Sequence, residues 1–472
     1  MGCNKHRHLF HKKLKLLMPF SLCVTVLSLM LLRWSFRSDR NFQSGIHFYQ
    51  TPSAASAEQN DIESTGMNVD TEKVSIMVVN GTKTLLISAF MEHRLKKKQI
   101  HVVAVALHSE RSSYVCLLCC QSKLHVSEAS LELQSNNFEF KYGTADIMCP
   151  LPSDCQSATR VAVMSVSEGI KQAGHEHCSD EGERGFLEVK NQQELLSSFP
   201  NNFVVCVSTM FDFTNVLQFV QTMEMLQLLG VNRVVIYKSS CSADMQLVLD
   251  YYTHKGLVEV IPWTLSKFLN VSRGWLPLHG PGDIHYFGQI PALNDCLYRY
   301  MYKSKWIAMH DLDELILPQS VDSWLELLPL LERNYGANHC FMFENNVFPI
   351  NVALPPPVNG THWTNVTGVN ILRHLRHEPI IAETHYSNFK IIINPRAVTT
   401  PTVHGVLNPA GLCTWIDRKI ARLYHTRAPK QPKLTPDKLI YDGRLLSYSA
   451  RFVPAVSTAL RESGLLPKDD AR

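Results

Sequence analysis

The 472 residues carry 46 Lys and Arg against 42 Asp and Glu, a net charge of +4, with 45% hydrophobic residues. That hydrophobic share suffices for a sizeable core, and the near-balanced charge speaks against nucleic acid as a partner, since a binder's basic residues should cluster on its folded part. The length suits one large catalytic domain with a smaller companion.

The clearest basic cluster is instead N-terminal: residues 5–15 read KHRHLFHKKLK, and residues 16–32 read LLMPFSLCVTVLSLMLL, uncharged until Arg33. Seventeen apolar or weakly polar residues lie at the short end for a membrane span. No small-x-small cleavage site follows, and Lys and Arg before the span place the N-terminus in the cytosol. The expectation is a cytosolic tail (1–15), a transmembrane signal anchor (16–32) and a lumenal remainder, that is, a single-pass type II membrane protein; a cleaved signal peptide is the alternative. A short span suits the thin membranes of the secretory pathway. MGCNKH lacks the Ser or Thr that a myristoylation signal carries at position six. Residues 33–73 are polar, without apolar period, and read as a stem.

Cysteines and sequons agree with a lumenal setting. Of 13 Cys, 11 follow the span, so an oxidising compartment pairs some and leaves at least one free. CLLCC at 116–120 lacks a second pair at zinc-finger spacing and reads as disulfides or buried thiols. Sequons at Asn80, Asn270, Asn359 and Asn365 are candidate glycosylation sites.

Residues 74–199 open with short apolar runs (VSIMVV, TLLISAF, IHVVAVALH, YVCLLC, RVAVMSV) between turn clusters, as strands of a small β-rich module, and end in a polar connector. From 200 the period changes. FVVCVS reads as a strand, NVLQFVQTMEMLQLLG as a helix, NRVVIYKSS as a strand, ADMQLVLDYYTHKG as a helix and LVEVIPW as a strand. PALNDCLYRYMYKS is a further helix and KWIAMHDLDELILP holds the fourth strand. This alternation predicts a doubly wound, mostly parallel α/β sheet over 200–430, followed by an extension over 431–472. In such sheets ligands bind beyond the carboxyl ends of strands, where Asp311 and Asp313 fall.

On an extended backbone Asp311 and Asp313 share one side, with Leu312 and Glu314 on the other. Two carboxylates converging at a strand end suit Mg²⁺ or Mn²⁺, with positions left for diphosphate oxygens. Alone, D-x-D is common and more often a solvated loop after a strand, or an acid paired with a nearby Lys or Arg; the apolar flanks WIAM and LILP and the strand-end position argue for a built site. A haloacid-dehalogenase phosphatase is set aside, because Glu314 stands where that pattern needs Thr or Val.

The ordered blocks CVSTMFDFTNVLQFVQTMEMLQLLGVNRVVIYKSS, QIPALNDCLYRYMYKSKWIAMHDLDELILP, FKIIINPRAVTTPTVHGV and RLYHTR resemble glycosyltransferase family 92 over roughly residues 200–430. The resemblance implies a GT-A-like fold and metal-dependent, inverting transfer of galactose from UDP-galactose to a glycan, in a Golgi type II membrane protein. It implies Asp313 as direct metal ligand, and Asp311 nearer the ribose or a metal-bound water. Asn294, Asp295 and Arg299 of N-D-C-L-x-R would lie beside the nucleotide; a surface ion pair between the last two is the plainer reading. His404 and His425 are candidates for a further metal ligand, and Lys390 and Arg396 for phosphate or acceptor charge. Inversion needs a carboxylate base. Glu344 is the first candidate, with Glu383 and Asp417 as others, while Glu314 could serve chemistry or orient the strand end. Trp275, Tyr286, Trp363 and Trp415 could form an acceptor platform. The expected partners are a UDP-sugar donor, a glycan acceptor on glycoprotein or glycolipid, and the membrane. A non-catalytic lumenal glycan-binding module, or a metal-dependent nucleotide-sugar hydrolase, is the competing reading.

Overall fold

The computed structural model describes residues 76–467 apart from 122, 167–177, 179–184, 196, 337–339, 356–362 and 410. The tail, the anchor, the stem and the Asn359 sequon lie outside the described residues. Among the described residues no helix is long and apolar enough to cross a membrane. Gly66–Arg472 forms one compact unit.

The expected β-rich module contains β1 (Met77–Val78), β2 (Leu85–Glu92), β3 (Gln99–Leu107), β4 (Tyr114–Cys120), β5 (Lys123–Leu133), β6 (Tyr142–Pro150), β7 (Arg160–Ser165) and β8 (Leu187–Lys190). The pairing order β2-β3-β6-β5-β4-β7-β8 ends with β8 returning to β2, which closes the sheet and leaves few open edges. Alternation divides β3 between two cores. Ile100, Val102 and Ala104 fill the module's interior, whereas Val103 and Val105 join the core of the following domain. CLLCC is a disulfide element: Cys116 pairs with Cys149, Cys119 with Cys178 and Cys120 with Cys155.

The second sheet has the order β11-β10-β9-β12-β17-β14-β20. β9 (Asn201–Met210), β10 (Arg233–Lys238), β11 (Val258–Pro262) and β12 (Ser304–Met309) are mutually parallel, as the alternation predicts. Beyond them β17 (Lys390–Ile393) runs antiparallel to both β12 and β14 (Cys340–Phe343), and β20 (Cys413–Trp415) is parallel to β14. The sheet is therefore mixed. One face carries α1 (Val216–Leu228), α2 (Ala243–His254), α4 (Trp324–Tyr335) and α5 (Ser449–Glu462). α5 comes from the segment that the sequence sets apart as an extension, yet Phe452, Val456 and Leu460 are buried in this core. The other face carries α3 (Gln289–Tyr300), pressed between the sheet and the module.

Every residue of α3 is buried, so its polar groups need internal partners. Asp295 and Arg299 form an ion pair at 2.9 Å, and Asp295 also accepts from Ser88 of the module and from Tyr237. Gln134 of the module donates to Asn294 at 3.0 Å. The connecting helices change face between β9 and β12, which are neighbours, and ligands of such sheets bind beyond the carboxyl ends of strands at a switch point of this kind. Cys206–Cys296 ties β9 to α3, Cys340–Cys413 ties β14 to β20, and Cys241 is free.

Three further strands build a small third sheet, β13-β21-β15: β13 (Glu314–Pro318), β15 (Asn345–Pro349) and β21 (Ala421–Arg427). β16 (Arg376–His377) pairs with β22 (Ile440–Tyr441), and β18 (Thr400–Thr402) with β19 (Gly405–Asn408).

Candidate active site

β12 ends at Met309 and β13 begins at Glu314. The turn between them is pinned on every side. Glu314 accepts the Asp311 backbone N–H at 2.8 Å, Thr222 donates to the Leu312 carbonyl at 2.9 Å, and the Thr426 N–H donates to the Asp313 carbonyl at 3.0 Å. Leu312 is buried in the core. The Asp311 and Asp313 side chains remain 38% and 37% exposed, while that of Glu314 is 1% exposed. Asp311 and Asp313 thus stand in a turn between strands of two sheets and not on the single extended strand that the sequence suggests; both carboxylates are left partly exposed while Leu312 and Glu314 are drawn inside.

Lys390 opens β17, and its ammonium, 3% exposed, lies 3.0 Å from Asp311 Oδ2 and 3.5 Å from Glu314 Oε2. Ser208 and Gln289 reach Asp311 Oδ1 at 3.4 and 3.3 Å. Desolvation pushes the Asp311 carboxyl up, but the Lys390 ammonium outweighs it and holds the acid at about 2. The same carboxylates overcome burial at Lys390 and raise its pKa. Lys390 is therefore an anchor for the acids, committed before any phosphate arrives.

β13 and β21 pair with Glu314 directly opposite His425. His425 Nε2 lies 3.2 Å from Asp313 Oδ2, and Nδ1 lies 3.3 Å from Glu314 Oε1. Desolvation opposes ionisation of Asp313, and the His425 charge outweighs it and lowers the pKa; burial dominates at Glu314 and raises it. Of the two candidate histidines, His425 is the one brought to Asp313. His404 turns Nδ1 to the Phe389 carbonyl at 3.0 Å, and burial lowers its pKa to about 3.

Asn294, Asp295 and Arg299, expected beside a nucleotide, are at most 1% exposed and lock α3 to the module and sheet. Arg396 donates to the carbonyls of Met301, Ser304 and Lys305 at 2.6–2.7 Å, so its guanidinium serves chain packing. Glu344, directly after β14, is 1% exposed and lies 3.3 Å from His385 and 3.5 Å from Arg418. Glu383 and Asp417 are exposed, and Asp417 caps its own turn through the Lys419 N–H. Asn80, Asn270 and Asn365 are exposed.

The aromatic candidates divide. Trp363 is 3% exposed and donates to Ser457, a packing role. Trp275 and Tyr286 are half-buried neighbours at 5.9 Å, and Trp275 lies 5.7 Å from His404. Burial pushes the Tyr286 hydroxyl up to about 12, with help from the charges of Asp311 and Asp313. Trp415 packs against His385 and Tyr386 at 5.3 and 4.8 Å.

A second group lies at the ends of β9 and β10 and was missed in the sequence. Phe211 stacks on Phe287 at 4.4 Å, and Arg273 covers Phe211 while pairing with Asp212 at 3.1 Å. Asp212 and Phe287 adopt φ of 45° and 55°, sparsely populated conformations that concentrate at functional sites. Their only sequence signal is position, directly after a strand and directly before α3.

The Asp313 carboxylate suits Mn²⁺ or Mg²⁺, and an imidazole at His425 disfavours Mg²⁺, the harder of the two. Among the described residues no group of three or more His, Cys, Asp and Glu is disposed to hold a metal by itself. The fit is therefore to a cation that takes two protein ligands and fills its other positions with water and donor oxygens.

Residues 201–453 match glycosyltransferase family 92. Two family 92 proteins of Caenorhabditis elegans are 25% identical over 222 residues, covering 39% of this chain and 44% of the relative, and 21% identical over 234 residues, covering 49% and 43%. The match thus spans less than half the length of these relatives. The crystal structure of glucosyl-3-phosphoglycerate synthase from Mycobacterium tuberculosis, in complex with Mn²⁺, UDP and glucosyl-3-phosphoglycerate, covers 57% of this chain and 82% of its own at 10% identity. Its TM-score is 0.24, too loose a superposition to carry an argument. The match over more than half the chain settles membership: the chain belongs to glycosyltransferase family 92.

Proposed function

We propose that this protein is a metal-dependent glycosyltransferase of the GT-A type that moves a hexose, galactose, from a UDP-sugar to a glycan acceptor with inversion. The observation that carries the reading is the Asp313–His425 pair, with the Asp313 carboxylate 37% exposed and His425 buried behind it, beside an Asp311 paired with Lys390. Galactose and inversion come from the family resemblance. Mn²⁺ at Asp313 and His425, when bound, would stabilise the charge developing on the leaving diphosphate. Asp311, held by Lys390, Ser208 and Gln289, would be free of that duty and would accept from the ribose or a water. Phe211, Phe287 and Asp212, at the ends of the central strands, supply stacking faces and a carboxylate for the nucleoside.

The acceptor hydroxyl must lose a proton. Glu344 is too deeply buried to meet an acceptor, whereas His385 is 31% exposed, is held by Glu344 and lies beside Trp415. We assign proton acceptance to His385 with Glu344 orienting it. The type II anchor, a Golgi lumenal site and an acceptor on glycoprotein or glycolipid belong to the same proposal.

The test is UDP-sugar turnover with and without Mn²⁺ for the full chain and for Asp313→Asn. Metal-stimulated, acceptor-dependent transfer that falls at least about 100-fold in the variant supports the proposal, on the scale of lost transition-state charge stabilisation. Unchanged turnover in the variant, or release of sugar without an acceptor, overturns it.

A further inference from the structure

We propose that Arg427 and Lys430 bind the diphosphate of the donor, giving the nucleotide a hold on the protein that does not depend on the metal. The proposal rests on the nucleotide-sugar reading above and names the cations which that reading needs. The sequence offers Lys390 and Arg396 for phosphate charge, and both are committed elsewhere. Lys390 is paired with Asp311 and Glu314, and Arg396 donates to three backbone carbonyls. A diphosphate's charges still need donors.

The segment H-T-R-A-P-K at 425–430 supplies them. Alternation along β21 puts Leu423, His425 and Arg427 on one face, which leaves the core at Leu423, passes Glu314 at His425 and ends the strand at Arg427. Between the last two, the Thr426 N–H donates to the Asp313 carbonyl at 3.0 Å, so Arg427 follows directly on a residue bonded to the acidic turn. Its charge reaches the site. At Asp313 desolvation is outweighed by His425 with help from Arg427, and at Tyr286 burial and the two aspartates are opposed by Arg427 and Lys390. Beyond the strand, Glu378 is 3% exposed and accepts the Gln431 N–H at 3.0 Å, while the Gln431 amide donates to the Pro379 carbonyl at 2.8 Å. The loop that carries Lys430 is thereby held. Lys430 keeps solvent access although the protein crowds it, and this crowding, then the Arg427 charge, lower its pKa to about 8.

Both cations lack a counter-ion. Among the described residues neither makes a hydrogen bond or an ion pair through its side chain, and Arg427 Nε is buried without a partner. A buried donor left unbonded is costly, and neighbouring cations without an acid between them repel. Adjacent phosphates relieve both conditions. Their oxygens accept from the guanidinium fork and from the ammonium, and further oxygens remain for a cation at Asp313.

The experiment measures calorimetric affinities of the full chain for UDP, uridine and inorganic pyrophosphate in the presence of EDTA, for wild type, Arg427→Gln and Lys430→Gln. The wild type should bind UDP more tightly than uridine without metal. Each substitution should weaken UDP and pyrophosphate about 10–100-fold, the scale of one lost charge-assisted hydrogen bond, and leave uridine within about twofold. UDP affinity kept in both variants overturns the proposal, as does an equal loss for UDP and uridine, which marks a structural effect. A wild type that binds UDP only when Mn²⁺ is added overturns it too. If the wild type holds pyrophosphate through these cations but binds no UDP with or without Mn²⁺, the nucleotide-sugar reading fails and the diphosphate site stands. Thermal midpoints report folding; if Arg427→Gln does not fold, Lys430→Gln, at a solvent-accessible position, carries the same test.

Discussion

Replacing Asp295 by Ala tests whether the N-D-C-L-x-R segment serves the donor or the junction. The carboxylate is fully buried and takes Arg299 Nε at 2.9 Å and Nη2 at 3.2 Å, together with the hydroxyls of Ser88 and Tyr237. Burial opposes its ionisation, yet the Arg299 charge and these hydrogen bonds win and lower its pKa. Removing one member of a buried ion pair strands the other charge and costs about 3–5 kcal/mol. The Arg299 side chain is 1% exposed, so a loss within that range is expected. Urea unfolding of the full chain, followed by Trp fluorescence, should show a correspondingly lower midpoint, while UDP affinity per folded molecule stays within about twofold, the scale of effects at sites without a ligand contact. A stability loss below about 1 kcal/mol combined with lost UDP binding would refute the reasoning and return Asp295 to the nucleotide site.

Other expectations follow from single features. Replacing both Cys206 and Cys296 by Ala opens a link spanning 90 residues between β9 and α3 and should cost about 2–5 kcal/mol, read as a lower urea midpoint than wild type in the absence of reductant. His285 is 2% exposed among Phe138, Phe140, Trp275 and Tyr286, neither ring nitrogen has a partner among the described residues, and burial lowers its pKa to about 3. Between that value and the ordinary histidine value of 6.5 the unfolded chain binds a proton that the native chain refuses. Stability is therefore fully present above about 6.5 and lost as pH falls towards 3, and His285→Phe should flatten this slope in unfolding midpoints taken at neutral and acidic pH. Identical slopes would refute it. Deleting the module, by starting the chain at residue 200, bares the apolar side of α3 and removes the Gln134 donor from Asn294 Oδ1; the product should be insoluble or should bind a hydrophobic dye, and a cooperatively folding fragment would contradict the shared core.

The parts of this fold that are legible in the sequence are those set by neighbours in the chain. Strand–helix alternation from β9 to β12 predicts the parallel half of the sheet, and the apolar flanks of D-L-D-E place the acids at a strand end. Lys390 and His425 are 79 and 112 residues beyond the acids they touch. Their meeting depends on the antiparallel pairing of β17 with β12 and of β21 with β13, which local periodicity does not encode. The same limit explains the two histidines. His404 and His425 both stand in family-matching blocks, and only the register opposite Glu314 distinguishes them. Helix α3 misleads in a different way. A helix with Asn, Asp and Arg among apolar residues reads as having one wet face, because nothing local announces that a second sheet covers it.

That covering sheet bears on where the catalytic unit begins. The family match starts at residue 201, but Leu85, Ile87, Phe90, Val103 and Val105 of the module share one apolar core with Val204, Val235 and Ile307 of the second sheet. Polar contacts cross at the same place: Arg94 donates to the Val398 carbonyl and the Tyr298 hydroxyl, and Asn136 to Thr402. An interface between independent domains would be more polar and open to relative motion. Here the wall behind α3 is continuous with the module, and α3 in turn supplies Gln289 to Asp311. The module therefore acts on the site through rigidity. It fixes the helix that fixes the first aspartate, so substitutions at the junction should change how firmly Asp311 is held before they change anything that touches a sugar.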